Sequence, residues 1–158
     1  MEERIYDIKF ANAMLDIAEG LAQLSKCVSF SIGAVIVKNG RIISSGVNGS
    51  PSKFINCNEK FNAEDFSREE HHKFSEKYEI HAELNAILNA AKEGISIDGA
   101  DMYVNYHPCY NCLKNLAGSG IKRVFYRHEY DKFVYDKEFF KNLEKNGLRL
   151  INIGREET

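Results

Sequence analysis

Four side chains in two short motifs have the types and spacing needed for metal chemistry. The motif "HAE" places His81 two residues before Glu83, and "PCYNC" places Cys109 three residues before Cys112. Both motifs open helix-like runs, where the C-x-x-C spacing lets two sulfurs approach one ion and the positive helix end favours thiolates. With His81 they make three ligands for tetrahedral zinc. The fourth position stays open for water, as a catalytic site requires.

Glu83 is predicted to move protons at this site. Zinc lowers the pKa of a bound water towards about 7, and a carboxylate two positions beyond His81 reaches that water without being a ligand. It can accept a proton there and deliver it again. One helix start thus supplies a ligand and an acid.

Each motif taken alone has an ordinary explanation. His81 would be a helix cap or a surface residue. Cys109 and Cys112 would form a redox pair. Glu83 would be an acid in the first turn that complements the helix dipole. Together, H-x-E followed 26 residues later by P-C-x-x-C is the signature of zinc deaminases that act on cytosine or adenine.

The elements that must position these residues follow from periodicity and turn signals. Apolar spacing predicts a helix from about Ile5 to Leu24, and two β-branched runs around Asn39-Gly40 predict a hairpin. A polar, irregular insert at about 51–79 ends in a short predicted helix, "EEHHKFSEKYE". The remaining predicted elements are "HAELNAILNAAKEG" closed by Gly94, the strand "GADMYVNY", the helix "CYNCLKNLAGSG", the strand "IKRVFYR", a weaker helix near Lys137 to Lys145 and the strand "LRLINIG".

This order predicts a three-layer α/β/α sandwich, with a mixed sheet in which an N-terminal hairpin precedes βα units. The 158 residues, 44% of them hydrophobic, suit one domain over 1–158. A net charge of −2 argues against a nucleic-acid partner. No apolar run approaches a membrane span, and we expect a cytoplasmic protein without membrane contacts.

The motifs and their surroundings resemble the deoxycytidylate (dCMP) deaminases, within the cytidine deaminase-like superfamily. The similarity runs from about Ser25 to Lys132 through "SKCVSFSIGAVIVKNGRIISSGVNGSP", "EIHAELNAIL", "MYVNYHPCYNC", "GSGIKRVFY" and "YDK". It implies a cytidine deaminase-like fold and a hydrolase that converts dCMP to dUMP, with release of ammonia, in the supply of dTMP. The residues that match the family's catalytic zinc ligands are His81, Cys109 and Cys112, and Glu83 matches its acid.

The same resemblance implies substrate contacts. Asn48 matches an asparagine that contacts the deoxyribose, and Tyr130 a tyrosine that contacts the substrate. We expect the cytosine to rest against His81, with backbone groups near Pro108 binding its edge. The 5′-phosphate needs a cation, for which the sequence offers Lys26, Lys53, Arg127 and Lys132 without ranking them.

Regulation and assembly are also implied by the resemblance. We expect a homo-oligomer, commonly a hexamer, activated by dCTP and inhibited by dTTP near the Gly46–Pro51 loop, with Mg²⁺ accompanying the effector triphosphate. Two positions depart from the family: Val47 stands where many members have tyrosine, and Asn105 where threonine is common.

A second zinc is expected in the insert. Some family members, including bacteriophage forms, carry one there, and its ligands match Cys27, Cys57, His71 and Glu79. Four ligands occupy all four positions around a tetrahedral ion, as a closed structural site needs. His72 is the fallback for His71, since helical neighbours point about 100° apart. Buried structural thiols are the alternative for the two cysteines.

Two other functions compete with dCMP deamination. One is a related zinc deaminase that acts on another cytidine nucleotide or on RNA adenosine, which the acidic balance disfavours. The other is a non-catalytic, zinc-stabilised binding module, which needs a fourth protein ligand beside Cys109 and leaves Glu83 without a role. Turnover, not metal content, separates them.

Overall fold

The computed structural model describes residues 6–154, which form six helices and five strands in that range. The helices are α1 (Ile8–Ala22), α2 (Cys57–Lys60), α3 (Arg68–Tyr78), α4 (Ala82–Lys92), α5 (Tyr110–Gly118) and α6 (Lys137–Asn146). The strands are β1 (Gly33–Lys38), β2 (Arg41–Val47), β3 (Asp101–Tyr106), β4 (Arg123–His128) and β5 (Arg149–Asn152). Within the described residues, no helix has the length and apolarity to cross a membrane.

The five strands form one mixed sheet in the order β2-β1-β3-β4-β5. The predicted hairpin is confirmed: β1 and β2 pair antiparallel, and Asn39 and Gly40 both have positive φ (53° and 74°), as a tight primed turn requires. β3 pairs antiparallel with β1, whereas the β3–β4 and β4–β5 pairs are parallel. The sheet is therefore parallel only beyond the hairpin, as predicted.

Helices cover both faces of the sheet, which confirms the three-layer sandwich. Helix α1 packs on one face, where Leu15 and Ala11 meet Val35 and Phe125. On the other face, the apolar sides of α4, α5 and α6 meet Ile36, Met102, Val104 and Val124. The alternation of Val35 and Ile36 between the two cores reflects the two-residue period of a strand.

Helix α1 begins at Ile8, where the Asp7 side chain caps it by accepting from the Lys9 and Phe10 amides. The predicted helix began at Ile5, which lies outside the described residues. At the other end α1 stops at Ala22, two residues before the predicted Leu24.

The insert is more ordered than its polar composition predicted. It contains the short helix α2, which the sequence pattern missed, and α3, whose Ser67 side chain caps the first turn. Rings of Phe61, Phe66, Phe74 and Tyr78 form an aromatic cluster around His71. Phe74 and Tyr78 are four residues apart on one face of α3 and stack at 4.9 Å. Phe61 and Phe66 lie before the helix, so only the folded chain brings them to it.

Candidate active site

Close packing of β2 against α4 fixes where α4 begins. A Cβ on Gly46 would lie 2.2 Å from the Ala82 carbonyl oxygen, so only glycine allows this approach. The Asn85 side chain then donates to the Val47 carbonyl (2.7 Å), and the Asn89 side chain to the Ser45 carbonyl (2.8 Å). The helix start is therefore held against the sheet.

Three predicted metal ligands meet where α4 and α5 begin. His81 is the N-cap of α4 and Cys109 the N-cap of α5, and neither side chain caps its helix. Nδ1 of His81 lies 3.5 Å from Sγ of Cys109 and 3.3 Å from Sγ of Cys112. We call these residues the three-donor cluster.

Charge in the three-donor cluster is concentrated on one thiol. Hydrogen bonds from Cys112 and His81 lower the pKa of Cys109 to about 4. Its thiolate in turn raises the pKa of His81 and, together with burial, that of Cys112. This electrostatic arrangement suits a cation.

Glu83 lies in the first turn of α4 and is only 4% exposed. Burial desolvates its carboxylate and raises its pKa. A buried carboxyl with a raised pKa beside a cluster that could hold a metal ion is suited to accepting a proton and returning it.

The spacing of the donor atoms can be compared with that expected around zinc. Zn–S bonds of about 2.3 Å and Zn–N bonds of about 2.1 Å put S and N about 3.6 Å apart on a tetrahedral ion. The observed separations of 3.5 and 3.3 Å are close to this value. The donors of the three-donor cluster therefore fit zinc.

A second group joins Cys27, Cys57, His71 and Glu79, whose donor atoms all lie within 4.8 Å of one another. We call it the four-donor cluster. Sγ of Cys27 lies 3.5 Å from Nε2 of His71, which is itself 3.8 Å from Oε1 of Glu79. The fallback residue His72 instead points outward, 73% exposed, and pairs with Glu76. Of the two neighbours, His71 is thus the one that faces the cluster.

Glu79 is the strongest indication that the four-donor cluster can hold a cation. Its side chain is 3% exposed, and neither carboxylate oxygen has a hydrogen-bond partner. A buried carboxylate without a partner is costly, and a metal ion would remove that cost. Burial also raises the pKa of Cys57 to about 12 in the absence of metal.

One cavity of about 240 Å³ joins the two clusters. Its lining includes Cys27, His71 and Glu79 from the four-donor cluster, His81 and Cys109 from the three-donor cluster, and Glu83. The predicted substrate residues Asn48 and Tyr130 also line it. Pro108 does not: it is fully buried next to Cys109, and its carbonyl accepts from Nδ1 of His107 at 2.8 Å.

Asn48 organises another part of the cavity wall. Its Oδ1 accepts from the Ile32 amide (2.9 Å), and its Nδ2 donates to the Phe30 carbonyl (2.9 Å). On the far side of this segment, Asn105 accepts from the Gly33 amide (3.0 Å) and donates to the Ser31 carbonyl (3.0 Å). Two buried asparagines therefore hold the chain at 30–33.

Phe30 and Arg68 are site features that sequence reasoning missed. The Phe30 ring lines the cavity and contacts Tyr130 edge-on at 5.2 Å. Beyond this ring pair lies a second cavity of about 530 Å³, whose charged lining residues are Arg68, Asp131 and Lys132. The position of Phe30, three residues after Cys27, was the one signal available. Arg68 had none, because its approach depends on how the insert folds.

Comparison with known proteins identifies the family. The family described as "Cytidine and deoxycytidylate deaminase zinc-binding region" matches residues 8–128. The chain belongs to this family. It is 39% identical to the deoxycytidylate deaminases of Enterobacteria phages T2 and T4, over 90% of this chain and 92% and 89% of theirs.

A solved structure of the same family agrees with the fold. The dCMP deaminase of cyanophage S-TIM5, in complex with dCMP and dUMP, matches with a TM-score of 0.74 at 31% identity. The match covers 93% of this chain and 98% of that one. This chain therefore has the cytidine deaminase-like fold of a deaminase family, as its sequence motifs predicted.

Proposed function

We propose that this protein hydrolyses dCMP to dUMP and ammonia. The observation that carries the proposal is the buried carboxyl of Glu83 in the same cavity as a three-donor cluster that fits zinc. Relatives named deoxycytidylate deaminase, and the S-TIM5 structure with dCMP and dUMP, support the choice of substrate.

His81, Cys109 and Cys112 would hold the catalytic zinc, since three protein ligands leave one position for water. When bound, zinc supplies Lewis acidity that makes this water a nucleophile at neutral pH. Glu83 accepts a proton from the attacking water as its oxygen adds to C4 of cytosine, and passes that proton to N3. It then accepts the second proton, from the new C4 hydroxyl, and delivers it to the amino group. The C4 carbonyl forms as the C4–N bond breaks and ammonia leaves.

The cavity walls orient the substrate. Tyr130 and Phe30 form the aromatic side, and burial raises the pKa of the Tyr130 phenol, which stays neutral. Asn48 uses one donor and one acceptor on the backbone and retains one of each for the sugar. The base lies between these residues and His81.

The 5′-phosphate extends past Phe30 towards Lys132 and Arg68. Arg127, a candidate from the sequence, instead contacts α1, where it donates to Asp16 (2.9 Å) and Asn12. Arg68 and Lys132 have no ion-pair partner within residues 6–154, although Asp131 lines the same cavity. The positive charges of Arg68 and Lys132 outnumber the single negative charge of Asp131, so this cavity favours an anion such as the phosphate.

The four-donor cluster would hold a second, structural zinc. Four protein donors complete a tetrahedral ion and leave no position for substrate. With an ion there, Glu79 would gain a partner, and Cys57 and His71 would tie the insert to Cys27 after α1.

Regulation acts through the Gly46–Pro51 loop. Its Gly49 pairs with Ile80 next to His81, and Asn85 of α4 donates to Val47 within it. A triphosphate bound there with Mg²⁺ would therefore act on the start of α4. We propose activation by dCTP, inhibition by dTTP and a hexameric assembly, in cytoplasmic dTMP supply.

A substrate panel tests the proposal. Zinc-loaded protein is given dCMP, dCTP, deoxycytidine and an RNA oligonucleotide, and ultraviolet absorbance follows deamination. We expect turnover of dCMP, with deoxycytidine much poorer. Failure on all four excludes an enzyme of this class, and turnover of RNA adenosine alone assigns the chain to the other branch.

A further inference from the structure

We propose that Tyr110 is a positioning residue that fastens the loop at 129–136 beside the active site. We call this segment the clasped loop. The inference rests on the proposed function, because the loop carries the substrate residue Tyr130. It assigns a role to a side chain that lies between the two zinc-ligating cysteines and does not itself face the metal donors.

The Tyr110 hydroxyl makes two hydrogen bonds with the clasped loop. It accepts from the Asp136 amide at 2.7 Å and donates to the Val134 carbonyl. One hydroxyl thus joins two backbone groups that are two residues apart and would otherwise face solvent. Tyr110 belongs to the first turn of α5, so the turn that places Cys109 and Cys112 also fixes the loop.

The Tyr110 ring adds a second anchor. It lies 5.0 Å from the ring of Phe133 in the loop and 4.6 Å from Phe139 in α6. Phe133 also contacts His107, two residues before Cys109, at 4.3 Å. By contrast, the loop tip is exposed: Val134 is 78% and Tyr135 66% accessible. The Tyr135 ring stacks on Phe140 of α6 at 4.8 Å, so the backbone on either side of Tyr135 is what the Tyr110 hydroxyl holds.

The other end of the clasped loop forms the cavity wall. Tyr130 stacks on Tyr106 at 5.2 Å and meets Phe30 at the cavity mouth. A turn hydrogen bond, from the Phe133 amide to the Tyr130 carbonyl (3.2 Å), connects this end to the clasped one. Movement of the loop tip therefore changes the position of Tyr130 and of Lys132, which lies between them.

The hydrogen bonds of the Tyr110 hydroxyl affect substrate binding and not the chemical step. Glu83 and the three-donor cluster lie on α4 and α5, which keep their own contacts when the hydroxyl is absent. Losing two hydrogen bonds to the loop should raise KM for dCMP about tenfold, with kcat within about twofold of wild type. Zinc content should not change.

Tyr110→Phe tests this prediction because it keeps the ring and removes only the hydroxyl. Tyr135→Phe is the matched control: it removes a hydroxyl from the same loop that makes no hydrogen bond within the described residues. Hydrogen exchange at the Asp136 amide is measured beside the kinetics. We expect exchange at least about tenfold faster in Tyr110→Phe, and wild-type behaviour in Tyr135→Phe.

The proposal requires both effects. A normal KM, or a normal exchange rate at Asp136, overturns it, as does a fall in kcat with KM unchanged. Equal effects in Tyr135→Phe also overturn it. If the wild-type protein does not deaminate dCMP, the proposed function fails, but the exchange comparison still decides whether Tyr110 fastens the loop.

Discussion

The three-donor and four-donor clusters use the same side-chain chemistry in different settings. The three-donor cluster is built on two adjacent helix starts, and the buried Glu83 lies beside it. The four-donor cluster gathers residues from the chain after α1, from α2, and from the two ends of α3, and its own carboxylate is one of the donors. In the proposed function, Glu83 is therefore kept as an acid, and Glu79 is used as a ligand.

The pKa values of their cysteines also distinguish the two clusters. Without metal, Cys109 is a thiolate with a pKa of about 4, whereas the pKa of Cys57 is about 12. The first value reflects hydrogen bonds from Cys112 and His81, and the second reflects burial. A preformed thiolate beside an open position suits catalysis, whereas a set of four protein donors that includes a buried cysteine suits a structural ion.

The largest expected effect is on the three-donor cluster. Cys112→Ala removes a buried donor, so zinc content should fall from two ions to one and kcat by about 10⁴-fold or more. Elemental analysis and dCMP turnover measure both. Asn111→Ala, on the same helical turn but exposed, is the control and should behave as wild type. If Cys112→Ala retained two zinc ions, Cys112 would not be a zinc ligand, and the assignment of the catalytic zinc to the three-donor cluster would be wrong.

The corresponding change in the four-donor cluster should affect stability more than rate. Cys57→Ser should leave about one zinc, lower Tm by roughly 5–10 °C and keep measurable activity. Calorimetry and elemental analysis check this. A wild-type content of one zinc per chain would show that the four-donor cluster holds no ion.

Thiol reactivity of the metal-free protein sharpens the comparison. A pH of 7 is above the pKa of Cys109, which is therefore a thiolate. The same pH is about five units below the Cys57 pKa of about 12, so Cys57 is a thiol. Alkylation at Cys109 should therefore be at least about 100-fold faster and flat from pH 6 to 8, whereas the rate at Cys57 should rise about tenfold per pH unit. Peptide mapping of iodoacetamide-treated protein measures this. Equal rates at the two cysteines would contradict the electrostatic contrast.

The smallest expected effect concerns the phosphate. Lys132→Ala or Arg68→Ala should each raise KM for dCMP about tenfold, through loss of one charged contact, and leave the poor activity on deoxycytidine unchanged. Lys73→Ala removes a charge from the same helix as Arg68 and is the control. An equal rise in KM for deoxycytidine would show that the cations do not select phosphate.

Local patterns predicted much of this molecule. The Asn39-Gly40 turn, the Gly94 end of α4 and the helix starts at His81 and Cys109 depend on residues close in sequence. Such signals are local, and they predicted correctly that both motifs lie at helix starts. The membership of the four-donor cluster came from a family resemblance and not from spacing.

Long-range contacts account for what the sequence did not predict. The aromatic cluster around Phe61, the approach of Arg68 to the outer cavity and the Tyr110 hydroxyl contacts join segments without shared periodicity. The uncommon Asn105 is explained only in the structure, where it bonds both Gly33 and Ser31. The residue types in the sequence do not by themselves reveal such partners.

The role of Glu83 as the acid that moves protons is tested most directly by Glu83→Gln, with zinc stoichiometry and kcat measured on the same sample. Because glutamine keeps the shape but cannot exchange protons, the variant should retain two zinc ions and the wild-type fold while kcat falls by about 10²–10⁴-fold or more. Near-normal turnover in the zinc-loaded variant would contradict the role assigned to Glu83.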